Sequence, residues 1–171
     1  EYSEAPLERV LGDRAPLSRR VEVRTLESMV FLNRTNRMEA RPLPPEAQRA
    51  PAFGIGAADF DGDGRVDLFL AQNFSQVPAE DVSFNAGLGL LLFGDGQGGF
   101  RSIAAADSGI RVEGDQRGAA VADYDGDGRT QLVVTQNAAE TRILRNVGGK
   151  PGLRVRLEGP PNNPAAIGAH I

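Results

Sequence analysis

Four aspartates, Asp59, Asp61, Asp63 and Asp67, fall within nine residues, with Gly62 and Gly64 between them. The pattern returns 64 residues later as Asp123, Asp125 and Asp127 with Gly126 and Gly128, and Gln131 stands where the fourth acid would be. Between Ala58–Asn73 and Ala122–Asn137, ten of sixteen positions are identical, so the chain contains a repeat and the repeat carries an acidic loop. Without a counter-ion, carboxylates this close repel, which raises a pKa and pushes the loop apart. A hard divalent cation resolves the conflict. Ca²⁺ suits the pattern because it takes about 6–8 oxygen ligands and tolerates irregular geometry, whereas Mg²⁺ demands an octahedron and keeps several waters. The absence of cysteine and the single histidine, His170, leave no ligand set for zinc or copper.

The ligands expected in the first loop are the side chains of Asp59, Asp61, Asp63 and Asp67 and the main-chain carbonyl of Arg65. In the second they are Asp123, Asp125 and Asp127, the carbonyl of Arg129 and the amide oxygen of Gln131. Gln131 removes one formal charge, so weaker binding is expected there. The glycines supply the left-handed or crowded backbone angles that tight wrapping needs. An Asp-Gly-rich stretch is also an ordinary hairpin turn. Two copies at one spacing, each followed by an apolar run, favour the metal.

The flanking elements decide what kind of loop this is. A helix–loop–helix calcium site needs a bidentate Glu at its twelfth position, but Leu70 and Val134 stand there. The runs 66–70 and 132–135 are β-branched or aromatic-rich and read as strands. Each loop therefore joins two antiparallel strands. Further strands are expected at 21–26, 28–33, 38–43, 53–60, 66–72, 87–93, 100–104, 117–124, 131–137, 141–146 and 153–157. A long polar connection is expected at 73–86. The run Gly94-Asp95-Gly96-Gln97-Gly98-Gly99 matches a dinucleotide-binding fingerprint, but Ser108-Gly109 follows too soon for a crossover helix, so it reads as a hairpin.

Strand, Asp-x-Asp-Gly-Asp-Gly-x-x-Asp loop, strand ending in Asn, and then Leu-Leu-Phe-Gly-Asp-Gly-Gln-Gly-Gly-Phe together resemble the FG-GAP or VCBS repeat, found also in integrin α-chain propellers. The resemblance implies an all-β fold of β-propeller blades, each a four-stranded antiparallel sheet, with Ca²⁺ between the first two strands. About two full blades plus a partial one are expected, as part of a larger propeller. The expected divisions are an irregular segment at 1–20, a partial blade at 21–50, a blade at 51–110 with its loop at 59–67, and a second at 111–158 with its loop at 123–131. The tail Gly152-Leu153-Arg154-Val155-Arg156-Leu157-Glu158-Gly159-Pro160-Pro161-Asn162-Asn163, continuing to Ala169, is similar to the opening of the ASPIC/UnbV domain, found in many bacterial proteins and the cartilage acidic protein family. That places the start of such a segment at 153–171.

The chain has 171 residues, a formal charge of −4, 21 glycines and 11 prolines, which favours turns over long helices and argues against a nucleic-acid surface. No apolar run approaches the length of a membrane span. All but one of the nineteen basic residues are arginine, scattered rather than clustered. The chain begins without methionine and is read as a mature or excised piece. The sequons at Asn33 and Asn73 are short patterns for which chance is the default. With one histidine and no cysteine, the usual hydrolase constellations are mostly excluded. The expectation is a non-enzymatic calcium-binding scaffold for extracellular interaction or adhesion, secreted, periplasmic or on a cell surface of a bacterium, with an unknown protein or glycan ligand and possible self-association. The alternative is a carbohydrate-binding or carbohydrate-processing module, poorly supplied with stacking platforms because tryptophan is absent and aromatics make up 6%. A calcium sensor is disfavoured, since strand-joining loops offer no helix pair to open.

Overall fold

The computed structural model describes residues 5–12, 14, 21–75, 86–153 and 155–170. Among them, the protein is an all-β chain of three antiparallel sheets with two short α-helices, α1 (Leu7–Leu11) and α2 (Ala105–Ser108), and a 3₁₀ turn at Pro45–Gln48. A hairpin of β1 (Met29–Asn33) and β2 (Met38–Pro42) forms the first sheet. The central sheet is a meander of β3 (Ala52–Ala58), β4 (Asp67–Gln72), β5 (Leu90–Gly94) and β6 (Phe100–Ile103), hydrogen-bonded in that order. The third pairs β7 (Asp115–Ala122), β8 (Gln131–Asn137) and β9 (Ala139–Leu144). Short hairpin-linked strands in successive sheets are the architecture of propeller blades.

Strand β4 explains why the central sheet sits in the middle. Its side chains alternate between two cores, so it reads as a continuous apolar run rather than an amphipathic one. Phe69 and Ala71 point with Leu91 toward the third sheet, where Phe60, Ile110, Val112, Leu132 and Val134 complete one cluster. Leu70 and Leu92 point the other way, onto Leu43 and Ala47. The first sheet is further tied to the turn between β5 and β6. Arg34 and Arg41 both donate to the carbonyl of Gln97, at 3.3 and 3.2 Å, and both guanidinium groups also pair with Glu39. In that turn Asp95 accepts the N–H groups of Gln97 and Gly99, which makes the glycine-rich run the hairpin expected from its spacing.

The first strands of the central and third sheets, β3 and β7, meet closely. A Cβ added at Gly54 would lie 2.9 Å from the backbone nitrogen of Ala119, so glycine is what permits this approach. At the other end of the same sheets, Asn73 is fully buried and donates to the carbonyls of Gly87, Glu113 and Gly114. Arg117 lies over the Phe53 and Phe74 rings, 4.2 and 5.6 Å from their centroids, and donates to the Asn73 carbonyl.

Three strand expectations change. Residues 21–26 form no strand, and Val21, Val23 and Leu26 are exposed. The described residues of 153–157 form no strand either, and Leu153 is almost fully exposed. The third sheet therefore has three strands rather than four, because after β9 the backbone groups bond to the acidic loops instead of the β9 edge. The strand expected from residue 87 begins at Leu90. Most of the connection at 73–86 lies outside the described residues.

Candidate metal centre

Each acidic loop joins the first strand of a sheet to its neighbour: residues 59–66 link β3 to β4, and 123–130 link β7 to β8. Alternate aspartates turn inward because their carboxylates accept main-chain N–H groups that the tight loop would otherwise leave unpaired. Asp59 Oδ1 accepts from Gly62 N at 2.8 Å and Asp63 N at 3.1 Å, and its Oδ2 accepts from Gly64 N at 2.8 Å. Asp61 Oδ1 accepts from Asp63 N at 3.1 Å. The glycines adopt left-handed angles, with φ of 74° and 84° at Gly62 and Gly64 and 73° and 82° at Gly126 and Gly128.

Asp67 is fully buried and closes the first loop. Its Oδ2 accepts from Phe60 N and its Oδ1 from Gly94 N, each at 2.9 Å, so one carboxylate ties the loop entrance to the end of β5. Asp59, Asp61 and Asp67 each place a carboxylate oxygen within 4.8 Å of the others. Asp63 is outside that group: it pairs with the Arg65 guanidinium and accepts the Arg65 N–H, while Arg65 Nε donates to the Gly94 carbonyl at 3.1 Å. Among the described residues no ion pair reaches Asp59, Asp61 or Asp67. Burial, followed by the charges of Asp67, Asp63 and Asp59, pushes the Asp61 carboxyl above its ordinary value. An oxygen-only donor set with uncompensated negative charge fits a hard cation and can hold one.

The second loop has the same backbone and a different charge balance. Asp123, Asp125 and Asp127 gather oxygens within 4.8 Å, so here the fifth-position acid joins the group. Arg129 donates through Nη1 to Asp127 Oδ2 at 3.1 Å and through Nε to the Gly149 carbonyl at 2.7 Å. The Arg129 N–H, and then its guanidinium, hold the Asp127 carboxyl below the ordinary range, with Arg145 adding to the effect. Arg145 Nε lies 3.2 Å from Asp125 Oδ2. Gln131 is buried, accepts from Tyr124 N at 3.0 Å, and donates from Nε2 to Asp125 Oδ1 at 2.9 Å.

Sequence reasoning missed the segment 146–152, which follows β9 and straps across both loops. Asn146 Nδ2 donates to the Phe60 carbonyl at 2.7 Å, Lys150 N to the Asp61 carbonyl at 3.0 Å, and Gly152 N to the Gly128 carbonyl at 2.6 Å. No local pattern announces it, since Asn-Val-Gly-Gly-Lys-Pro-Gly reads only as a turn.

The comparison with curated proteins finds no match for the chain. Residues 59–134, which run from the first acid of loop one to the buried middle of β8, match the family model of the FG-GAP-like repeat, so the stretch holding both acidic loops is similar to that repeat.

Proposed function

We propose that the chain is a calcium-stabilised, non-enzymatic propeller segment that presents surface loops to a protein partner outside the cytoplasm, as an interaction or adhesion scaffold. The observation that carries the proposal is the convergence of Asp59, Asp61 and Asp67 within 4.8 Å, with no ion pair to any of the three among the described residues. These carboxylates would hold the ion, with Asp63, the Arg65 carbonyl and water completing the shell. Bound Ca²⁺ supplies the missing positive charge. Because Asp59 follows β3 and Asp67 opens β4, the site clips the two strands at their loop end. On the strength of its sequence motif, the tail 152–169 is proposed as the opening of an ASPIC/UnbV-type domain.

An ion that binds only the folded state adds about 2.7 kcal/mol at one hundred times its Kd. For a chain of this length that corresponds to a melting-temperature rise of roughly 5–10 °C. Thermal melting of the 171-residue chain in EDTA and in CaCl₂ should show such a rise in the wild type and little in Asp61→Ala. An identical melting temperature in both buffers for the wild type removes the calcium reading.

A further inference from the structure

Two loops of one sequence pattern differ in what neutralises them. We infer that the second acidic loop carries its own counter-charge and does not take Ca²⁺ under conditions that fill the first. The inference deepens the calcium reading of the first loop and rests on it for the count of one ion per chain.

Gln131 is the first reason. It occupies the place of Asp67, and its Oε1 takes the Tyr124 N–H just as Asp67 Oδ2 takes the Phe60 N–H. Asp67 is an anion with two oxygens, each taking one N–H and keeping a lone pair, whereas Gln131 brings one neutral oxygen and an amide nitrogen. That nitrogen points at the carboxylates, donating to Asp125 Oδ1 at 2.9 Å and Asp127 Oδ1 at 3.4 Å. Turning the amide over would face its NH₂ to the Tyr124 N–H and leave buried donors unsatisfied, which costs the full desolvation of those groups. The amide is therefore held with its NH₂ toward the carboxylates, and a cation in this loop meets an N–H donor where the first loop offers a carboxylate.

Arg145 is the second, and the strand register reveals it. Leu68 pairs with Leu92 in the central sheet and Leu132 with Leu144 in the third. The next residue is Phe93 in one and Arg145 in the other, so the same structural position is apolar beside loop one and cationic beside loop two. Arg145 reaches Asp125 Oδ2 at 3.2 Å and Asp127 Oδ2 at 3.6 Å. With Arg129 on Asp127, three carboxylates face two guanidinium groups and an amide donor. The first loop sets four carboxylates against Arg65 alone.

The test counts calcium ions per folded chain by isothermal titration with CaCl₂, with circular dichroism to confirm folding. Gln131→Asp combined with Arg145→Phe gives the second loop the chemistry of the first, and it should bind one Ca²⁺ more than the wild type. Asp125→Ala in the wild-type background changes a partly exposed side chain and should leave the count unchanged. A double variant that binds no more than the wild type, or an Asp125→Ala variant that loses an ion, overturns the inference. A wild type that binds none is a failure of the first-loop reading, and the double variant still decides the second loop because its gain is measured against the wild type.

Discussion

Asp67 ties the fold together and also sits in the carboxylate group proposed to hold the ion. It is fully buried, accepts one main-chain N–H from the loop entrance and one from the end of β5, and still belongs to the carboxylate group. Asp67→Asn keeps one acceptor and turns an NH₂ toward the other N–H. It should lose about 1–3 kcal/mol even without calcium, measurable by urea unfolding in EDTA. Asp61 should behave in the opposite way. Its carboxyl is held above the ordinary range, so the folded state binds that proton more tightly than the unfolded chain does. The associated stability is complete at low pH and is lost as pH rises from the unfolded carboxylate value through the raised folded one. In EDTA, Asp61→Asn should therefore melt with the wild type at low pH and above it near neutrality. In calcium the order should reverse. The acids, their glycines and the strand-joining character of the loops were legible in the sequence because each is a local property. That Asp63 pairs with Arg65, and that the Gln131 oxygen is taken by Tyr124, depends on where the loop entrance folds back. The Asn73 sequon shows the same limit: its side chain is buried and bonded to three carbonyls, a structural tie that the tripeptide pattern does not reveal.

Elements depend on whether a partner edge exists. The strand pattern, as alternation or as a β-branched and aromatic run, correctly marked β1, β4, β5, β6 and β8, each of which has a neighbour. It also marked 21–26 and 153–157, whose apolar residues stay exposed. A period of two says that a segment can bury one face, not that anything waits to cover it. Close approach is equally invisible to pattern. Glycine at position 54 permits β3 to lie against β7, and Gly54→Ala should cost about 1–3 kcal/mol through overpacking. Phe69 is fully buried between the central and third sheets, and Phe69→Ala should cost about 3–5 kcal/mol. Chemical denaturation of the two variants in calcium would rank them. A Gly54→Ala variant as stable as the wild type would mean that the sheets can separate without loss.

Across the whole molecule, the strap 146–152 makes the two loops one structure. Lys150 N bonds to the Asp61 carbonyl and Gly152 N to the Gly128 carbonyl, while Gly62 passes so close to Lys150 that an added Cβ would lie 2.6 Å from the lysine Cβ. Ordering the first loop with Ca²⁺ should therefore protect the strap. Hydrogen exchange at the Lys150 amide should accelerate in EDTA far more than at Val134, which sits in the middle of β8. Equal acceleration at both would show that calcium acts on global stability alone.

By itself, the amino-acid sequence determined that this protein is a repeat of strands joined by acidic, glycine-spaced loops, because spacing and residue type act within a few bonds of one another. Only the tertiary structure decided which charges go unanswered. Arg145 lies fourteen residues beyond Gln131 and reaches Asp125 and Asp127 because β9 pairs with β8 in one particular register. Phe93 takes the equivalent place beside the first loop, which leaves Asp59, Asp61 and Asp67 without an ion pair among the described residues.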